Sequence, residues 1–323
     1  MKDTNHGEGT VAGNPDDKFP HQPVLYHEVL DALAPEPGKD YLDGTLGAAG
    51  HAEGILKASS PDGRLLGLDL DTEALTIARQ RLSEFSDRTI IRQASYQIAP
   101  EILKELGWRN VHGILLDLGV SSMQIDRPAR GFSFMEEGPL DMRFDQSSGK
   151  TAADLINTLN EEALADIIWK FGDERYSRKI ARAIVAARPI NTTQDLAAII
   201  QKAVPGYRSH IHPATRTFQA LRIATNKELE TIAASLPGLV NCLEVGARIA
   251  IISFHSLEDR IVKQFFKKES RDCICPPELP ICTCGHKASL IILTKKPITA
   301  SKKEIRENPR SRSARLRIAE KNK

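Results

Sequence analysis

The stretch Asp43-Gly-Thr-Leu-Gly-Ala-Ala-Gly-His51 decides the fold, because it joins a short apolar run to an amphipathic segment. Residues 39–42 before it resemble a strand, and residues 51–58 after it alternate apolar and polar side chains like the start of a helix. The three glycines therefore fall in a strand-to-helix turn. Glycine there lets the backbone take positive φ and approach a ligand closely. The turn predicts a site for a nucleotide-type cofactor.

The cofactor predicted from this turn carries an adenosine and little phosphate. The glycine spacing, G-x-x-G-x-x-G, departs from the G-x-G-x-x-G of dinucleotide sites, and no lysine follows to form a phosphate loop. The next predicted strand ends at Asp69, whose carboxylate can accept both hydroxyl hydrogens of a ribose. S-adenosylmethionine fits this description, and a plain tight turn is the alternative.

Composition places the chain among ordinary globular proteins. Its 323 residues are 41% hydrophobic and can bury a full core, either as two domains or as one domain with a large insertion. Lys+Arg 44 against Asp+Glu 42 gives a net charge of +2, so any nucleic-acid-binding surface must be local. Residues 1–20 are polar and predict a disordered tail without a signal peptide, and no apolar run is long enough to span a bilayer. We expect a cytoplasmic protein.

Four of the five cysteines crowd into Cys273-Ile-Cys275 and Cys282-Thr-Cys284. This crowding is more typical of metal sites than of secreted disulfide frameworks. However, C-x-C is tighter than the usual C-x-x-C, and zinc requires a tetrahedral arrangement of thiolates. A zinc-holding loop and a plain loop with reduced thiols both stay open, and no metal ligand is assigned.

The order of predicted elements indicates an α/β fold. Four β-like runs, at residues 40–42, 65–68, 89–92 and 113–117, alternate with helical patterns such as residues 72–85. Residues 124–238 then show helical periodicity, with candidate capping boxes at residues 151–154 and 191–194. Strands resume at residues 248–253, 290–294 and 314–318. The pattern predicts a doubly wound, Rossmann-like parallel sheet interrupted by an all-helical insert, with the cofactor at the topological switch point.

The predicted domain organisation has four parts. Residues 1–20 form the tail, residues 21–123 the first part of the sheet domain, residues 124–238 the helical substrate domain, and residues 239–323 the second part of the sheet domain.

Two strand ends carry candidate catalytic groups. Asp117 ends the fourth strand, where a doubly wound enzyme presents groups to its ligands. Alternatively, Asp117 caps a turn, and Ser121 and Ser122 start a helix. His255 follows the fifth strand and is expected to face the same crevice, either as a catalytic group or as a structural hydrogen-bonding residue.

Two further features favour a nucleic-acid substrate. The loop of residues 130–143 is rich in Gly, Pro and apolar residues. Either Phe132, Phe134 and Met142 stack on a base while Asp141 or Arg143 reads its edge, or the loop packs the insert onto the core. Basic residues also gather in three places that can contact phosphates. They are Arg175, Arg178, Lys179 and Arg182, residues 215–227, and Arg310, Arg312, Arg315 and Arg317.

Taken in order, several long strings resemble one family, the bacterial ribosomal RNA small subunit methyltransferase H family, which methylates cytosine N4 in 16S rRNA. The resemblance runs from His21 to the C-terminus. It rests on His21-Gln-Pro-Val-Leu-Tyr-His-Glu-Val-Leu30, the glycine turn, Leu115-Leu-Asp-Leu-Gly-Val-Ser-Ser122, Arg130-Gly-Phe-Ser-Phe134, Gly138-Pro-Leu-Asp-Met-Arg143, His212-Pro-Ala-Thr-Arg-Thr-Phe-Gln-Ala220, Ser253-Phe-His-Ser-Leu-Glu-Asp-Arg-Ile-Val-Lys263 and Asn308-Pro-Arg310.

The resemblance implies S-adenosyl-L-methionine as methyl donor, a decoding-centre cytosine as acceptor and the small ribosomal subunit as substrate. Asp117 or His255 would hold the amine and take up its proton. The implied cofactor contacts are Ala49, Gly50, His51, Asp69, Tyr96, Asp117 and Gln124. A non-catalytic ribosome-assembly factor with the same fold is the alternative function, and the sequence leaves a homodimer open.

The chain departs from related patterns at two places. Ala49-Gly50 stands where the family usually has two glycines, and we expect Ala49 to keep a negative φ with slight adjustment of the turn. Asp117-Leu-Gly-Val120 replaces the Asp/Asn/Ser-Pro-Pro-aromatic motif of many amino-directed methyltransferases. The way in which the amine is held is therefore less specified than the cofactor.

Overall fold

The computed structural model describes residues 23–204, 212–276, 278–279 and 281–323, and these residues contain one seven-stranded sheet. The predicted tail, residues 1–20, lies outside the described residues. The strands are β1 (Asp40–Asp43), β2 (Arg64–Asp69), β3 (Thr89–Gln93), β4 (Val111–Asp117), β5 (Leu243–Ser253), β6 (Leu290–Ile292) and β7 (Arg315–Lys321). Their order is β3-β2-β1-β4-β5-β7-β6, and β7 runs antiparallel to both of its neighbours. The predicted doubly wound fold is confirmed.

Helices connect the strands and form the insert. Those of the described residues are α1 (Tyr26–Leu33), α2 (Gly50–Ala58), α3 (Thr72–Arg81), α4 (Ala99–Glu105), α5 (Ser122–Asp126), α6 (Ala152–Thr158), α7 (Glu161–Gly172), α8 (Ser177–Ala186), α9 (Thr193–Ala203), α10 (Ala214–Asn226), α11 (Glu228–Asn241), α12 (Ser256–Glu269) and α13 (Lys302–Glu307). Short 3-10 helices cover Ser83–Phe85, Tyr96–Ile98, Pro128–Arg130 and Pro309–Ser313. In the part of the chain that the structure describes, no helix is both long and apolar enough to cross a membrane.

Both faces of the sheet are covered, because successive strand residues point to opposite sides. Leu66 and Leu116 pack against α4, α11 and α12, whereas Leu65 and Leu115 pack against α1, α2 and α3. The strands are accordingly near-continuous apolar runs, which is why they were recognisable in the sequence.

The helices from α6 to α10 have a hydrophobic core of their own. It includes Ile156, Ile168, Ile184 and Leu221, all of them buried. The next helix, α11, instead packs its apolar residues against the sheet. Gly238, the end of the predicted insert, therefore falls inside a helix that lies on the sheet.

Side-chain caps start two of the insert helices near the predicted places. Thr151 and Asp154 form a reciprocal capping box at α6, as expected. The second prediction is wrong by one residue, since Thr192, and not Asn191, is the N-cap of α9 and accepts from the amide of Asp195. Adjacent polar residues compete for this position, and sequence spacing does not separate them.

Candidate active site

A cavity of about 410 Å³ lies at the carboxyl ends of β1, β2 and β4. This is the switch point of the sheet, since the chain runs outward from β1 through β2 to β3 and then returns to the other side of β1 with β4. The insert and the C-terminal segment complete the wall with Phe144, Arg222, Asn226 and Arg310. The cavity is therefore bounded both by the sheet and by the helical insert.

The glycine turn forms one wall of the cavity. Gly47 has φ +50°, which favours glycine, whereas Gly50 needs glycine for space, because an added β-carbon would lie 2.3 Å from Pro23 Cγ. The expectation for Ala49 was wrong: its φ is +61°, in the left-handed region, at a cost of about 1 kcal/mol. Its N–H donates to the carbonyl of Leu46 at 2.7 Å. Ala49 is fully buried and shapes the turn, and its neighbours line the cavity.

Asp69 stands at the end of β2 beside this turn and lines the cavity. Its Oδ2 accepts from the amide of Gly47 at 2.8 Å, and its Oδ1 accepts from the amide of Asp71 at 2.9 Å. Each carboxylate oxygen keeps a second lone pair. Burial raises the pKa of Asp69. The side chain is therefore held rigidly with acceptor capacity left over, as a ribose-binding group requires.

Asp117 ends β4 and has the most exceptional surroundings of the predicted residues. Its amide donates to Thr45 Oγ1 at 2.6 Å, but its Oδ1 has no hydrogen-bond partner among the described residues. Burial, with smaller contributions from the charges of Asp43 and Glu258, raises the pKa of Asp117 to about 8. The side chain keeps 27% of its surface exposed, so the carboxyl is surrounded by protein but accessible from the cavity.

Asp43, at the end of β1, is a site residue that the sequence analysis did not assign. It is 1% exposed, and its Oδ1 accepts from the amide of Thr45 at 3.1 Å. Burial and the charge of Asp69 raise its pKa to about 7. Its place as the last strand residue before the glycine turn was the signal available in the sequence. The charge of Asp43 in turn contributes to the raised pKa of Asp117.

His51 is neutral. Its Nε2 lies 2.9 Å from the carbonyl of Val24, and because a carbonyl can only accept, Nε2 carries the proton and Nδ1 does not. Burial lowers the pKa of His51 to about 4. The separation of 3.9 Å between its Nδ1 and Asp117 Oδ2 is thus no ion pair at neutral pH, and Asp117 gains no cation from it.

Tyr96 and Gln124, the other implied cofactor contacts, also line the cavity. Burial raises the pKa of the Tyr96 hydroxyl, which stays protonated. Gln124 donates to Asp71 Oδ2 at 2.8 Å and accepts from the amide of Ser121 at 3.0 Å. Ser121 is the N-cap of α5, so the alternative reading of this serine as a helix start is correct.

His255 sits beside the cavity, and its neighbours Phe254 and Glu258 line it. Its Nδ1 accepts from the amide of Glu258 at 3.4 Å, so the histidine caps α12, and its Nε2 lies 3.1 Å from Glu258 Oε1. That Nε2 contact meets the distance for an ion pair but not the angles for a hydrogen bond. The side chain of His255 therefore interacts primarily with Glu258. An H-x-x-E capping spacing in the sequence would have identified Glu258.

The group Glu228, His255 and Glu258 has ligand atoms within 4.8 Å of one another, the proximity that a metal requires. However, Arg222 donates to both oxygens of Glu228 at 2.8 Å, and Glu258 Oε2 accepts from the amides of Phe254 and His255. Most of the acceptor capacity is therefore used within the protein. No sequence signal connected Arg222 with Glu228, since they belong to different helices.

The loop of residues 130–143 packs the insert and does not present free aromatic rings. Met142 is 1% exposed, and the Phe134 ring lies 4.8 Å from that of Phe218. Asp141 and Arg143 pair with each other at 2.8 Å. The packing alternative is therefore correct for these side chains. Phe144, just beyond the loop, is the aromatic residue at the cavity.

Of the three predicted basic groups, one is an exposed surface. Arg178, Lys179 and Arg182 are exposed on α8, and Arg175 is exposed just before the helix begins. In the C-terminal group Arg310, Arg312 and Arg315 are also exposed, whereas the prediction is wrong for Arg222 in the second group and for Arg317 in the third. Arg222 pairs with Glu228, and Arg317 is buried against Asp259, with Nε 2.6 Å from Oδ1.

Comparison with known proteins gives a consistent result. A family model described as the MraW methylase family matches residues 18–322. A relative from Geobacter sp. (strain M21), named ribosomal RNA small subunit methyltransferase H, is 53% identical over 308 residues, with 94% of this chain and 99% of that protein covered. A relative of the same name from Syntrophotalea carbinolica is 52% identical, with 93% and 97% covered.

A solved structure of an rRNA methylase from Streptococcus thermophilus also resembles the chain. It has a TM-score of 0.41 and 9% sequence identity, with 92% of this chain and 94% of that chain covered.

Proposed function

Because the chain belongs to the MraW methylase family, we propose that it transfers a methyl group to the exocyclic N4 of a cytosine in the decoding region of 16S rRNA. The family confirms the resemblance drawn from the sequence, and S-adenosylmethionine is the methyl donor. The relatives' name supports rRNA as the substrate class. We propose in addition that the modified base is cytosine, that the methylated atom is N4, that the substrate is the assembled small subunit, and that the protein is cytoplasmic.

The observation that carries the proposal is the Asp117 carboxyl, which lines the cavity with 27% of its side-chain surface exposed and has no cation partner among the described residues. A cytosine amine is a poor nucleophile, because its lone pair is delocalised into the ring. An acceptor that holds one N–H orients the nitrogen and draws electron density toward it. Asp117 offers such an acceptor at a strand end beside the glycine turn.

Asp117 also suits the removal of the proton. S-adenosylmethionine supplies an electrophilic methyl group on a sulfonium. The N4–H bond becomes acidic as the nitrogen gains the methyl group, and ionised Asp117 accepts that proton. A carboxylate with a pKa of about 8 is a stronger base than an ordinary aspartate, but it is mostly protonated at neutral pH, so the rate of transfer should rise with pH toward 8.

His255 is proposed as a positioning residue. It caps α12 and faces Glu258, which in turn lies at the cavity and contributes to the raised pKa of Asp117. This role differs from the direct proton acceptor that the sequence suggested, because the His255 side chain is directed at Glu258.

The cofactor contacts follow the walls of the cavity. Asp69 is proposed to accept the ribose hydroxyls, the amides of Gly50 and His51 to face the methionine end, and Tyr96 and Gln124 to flank the adenine. Ala49 holds the turn in shape. These assignments use the pocket-facing groups and leave the internal hydrogen bonds of Asp69 and Gln124 intact.

The insert, residues 124–238, is proposed to hold the RNA. The exposed basic residues at the start of α8 can neutralise phosphates without reading sequence. The helix α8 shares its hydrophobic core with α10, which supplies Arg222 and Asn226 to the cavity wall.

The experiment that tests this function is methyl transfer from radiolabelled S-adenosylmethionine to small ribosomal subunits from cells that lack this gene. Nuclease mapping should locate the label on one cytosine, and nucleoside analysis should place it at N4. Subunits from cells that retain the gene are the control, since their site is already methylated. Cofactor binding without transfer to subunits, naked rRNA or DNA would instead favour a non-catalytic assembly factor.

A further inference from the structure

Four thiols converge in the segment between α12 and β6. The Sγ atoms of Cys273, Cys275, Cys282 and Cys284 all lie within 4.8 Å of one another. The Sγ of Cys284 is 3.6 Å from that of Cys282 and 3.9 Å from that of Cys273. None of the four is in a disulfide. We propose that these four cysteines bind a single Zn²⁺ as thiolates.

The sulfur separations match a tetrahedral zinc site. With Zn–S bonds of about 2.3 Å, the edge of the tetrahedron is roughly 3.8 Å, between the two closest separations observed. A disulfide needs its sulfurs at about 2 Å, well inside these distances. An iron–sulfur cluster needs its thiolates farther apart, because bridging sulfides separate the irons. One ion at the centre of the four sulfurs is the arrangement that the distances favour.

The backbone supports the sulfurs reciprocally. The amide of Ile274, between the first two cysteines, donates to Cys284 Sγ at 3.5 Å. The amide of Thr283, between the other two, donates to Cys275 Sγ at 3.4 Å. Such N–H groups favour thiolates over thiols, and they hold the sulfur atoms in the orientation that a metal requires. The two C-x-C segments thus face each other, and each supplies two of the four zinc ligands. The tight C-x-C spacing is therefore no obstacle to a tetrahedral site.

The segment has no hydrophobic core that would hold it in place. Among its described residues, none between Phe266 and Leu290 is a buried hydrophobic. Its large apolar side chains are exposed instead, with Ile281 at 74% and Leu279 at 48%. A small unit without a core usually needs a disulfide or a metal to keep one conformation. The four thiols are the groups placed to provide it.

This zinc site is separate from the proposed methyl-transfer site. The cavity lies at the start of α12 and the cysteines follow its end. The helix has 14 residues and is roughly 21 Å long, and the two sites lie near its opposite ends. Loss of zinc should therefore leave cofactor binding at the cavity intact.

The first test is the metal content of the full chain, purified without chelators or added metal, by inductively coupled plasma mass spectrometry. We expect about one zinc per chain in the natural protein. The paired variants Cys273→Ser/Cys275→Ser and Cys282→Ser/Cys284→Ser should each lose it. The matched control is Cys242→Ser, which removes the remaining cysteine, half-buried against the sheet core, and should keep the zinc.

A second measurement does not depend on the variants' folding. The natural chain, stripped of metal and reduced, is titrated with Co²⁺ and then with Zn²⁺. We expect the strong visible absorption of tetrahedral cobalt thiolate, which Zn²⁺ should abolish at one equivalent per chain. Failure of the reduced chain to bind either ion against a weak chelator would overturn the proposal. So would zinc that persists in both paired variants, or iron in place of zinc in the natural protein.

Discussion

Asp117 and Asp71 are carboxylates at the same edge of the sheet, but their surroundings are opposite. Asp71 accepts hydrogen bonds from Arg130 and Gln124, and these outweigh burial and hold its pKa below the usual range. Asp117 has no cation beside it in the part of the chain that the structure describes, and burial raises its pKa to about 8. A buried carboxylate with a cation depends on that partner to stay ionised, whereas a buried carboxylate with a raised pKa in a cleft is a candidate for chemistry.

A second buried carboxylate with a cation partner lies at the other side of the sheet. Asp259 on α12 meets Arg317 on β7, and hydrogen bonds from that arginine outweigh burial and lower the pKa of Asp259. Among the described residues, buried carboxylates without a cation partner lie at the ends of β1, β2 and β4, where burial raises the pKa values of Asp43, Asp69 and Asp117. The molecule therefore concentrates its unpaired carboxylates at the cavity end of the sheet.

The largest effect is expected from Asp117→Asn, which keeps the shape of the side chain and removes its charge. Methyl transfer to small subunits should fall by about 10² to 10⁴-fold, because the amine loses its base and a neutral amide oxygen is a weaker acceptor than a carboxylate. The free energy of unfolding should not fall, since the carboxyl removed has no cation partner. Single-turnover kinetics measure the rate of methyl transfer, and urea unfolding measures the free energy of unfolding.

The control for this variant is Asp87→Asn, a similar change at an exposed position. Transfer at the natural rate by Asp117→Asn would show that another group holds the amine. A large loss of stability would show that Asp117 belongs with the structural carboxylates.

The converse change is Arg130→Met, which leaves Asp71 buried without its cation. We expect a loss of about 3 to 5 kcal/mol in the free energy of unfolding, the usual result of removing one partner of a buried pair. Denaturant unfolding by circular dichroism measures it. The matched control is Arg182→Met, which breaks an exposed pair with Glu161 and should change stability little. Equal effects of the two variants would contradict the comparison.

A smaller effect is expected from Asp69→Ala. The carboxylate of Asp69 has both a structural role and a proposed ligand-binding role. It braces the glycine turn through Gly47 and keeps lone pairs toward the cavity. Affinity for S-adenosylmethionine should weaken by roughly 1 to 3 kcal/mol, as the hydrogen bonds to the ribose are lost. Isothermal titration calorimetry measures it, with Asp87→Ala as the control. Unchanged affinity would show that the ribose binds elsewhere.

The sequence predicted those features that depend on neighbouring residues. The strands were recognisable as apolar runs, and the glycine turn followed from its place between a strand and a helix. Asp69 and Asp117 were identified because parallel strands end at one edge. In each case the signal lay within about ten residues of the feature.

Features that depend on distant partners were not predictable. Arg317 was expected on a basic surface, but its partner Asp259 lies 58 residues earlier and buries it. Ala49 was expected at negative φ, yet the packing of the turn holds it in the left-handed region. The rings of residues 130–143 were equally suited to a base or to a core, and α10 decided for the core. Tertiary contacts overrode local preference in all three.

The pH dependence of stability gives the smallest effect and compares the two kinds of carboxylate in one experiment. Unfolded aspartates lose their protons near pH 4, whereas folded Asp43 and Asp117 keep theirs to about pH 7 and 8. Across this window the folded state binds more protons, so the free energy of unfolding falls as pH rises. Asp71 and Asp259 act oppositely: their lowered pKa values stabilise the fold above about pH 4, and this is lost as pH falls through the folded pKa.

Thermal unfolding of the cofactor-free protein between pH 5 and 8 should therefore show a decline that Asp117→Asn reduces. One proton contributes at most about 1.4 kcal/mol per pH unit, and the partial exposure of Asp117 makes its share smaller. The difference between the two curves reports the proton of Asp117 together with the change that its loss makes to neighbouring charges such as Asp43. If the curves run parallel, Asp117 ionises normally in the folded chain, and its unpartnered oxygen is then no sign of a base.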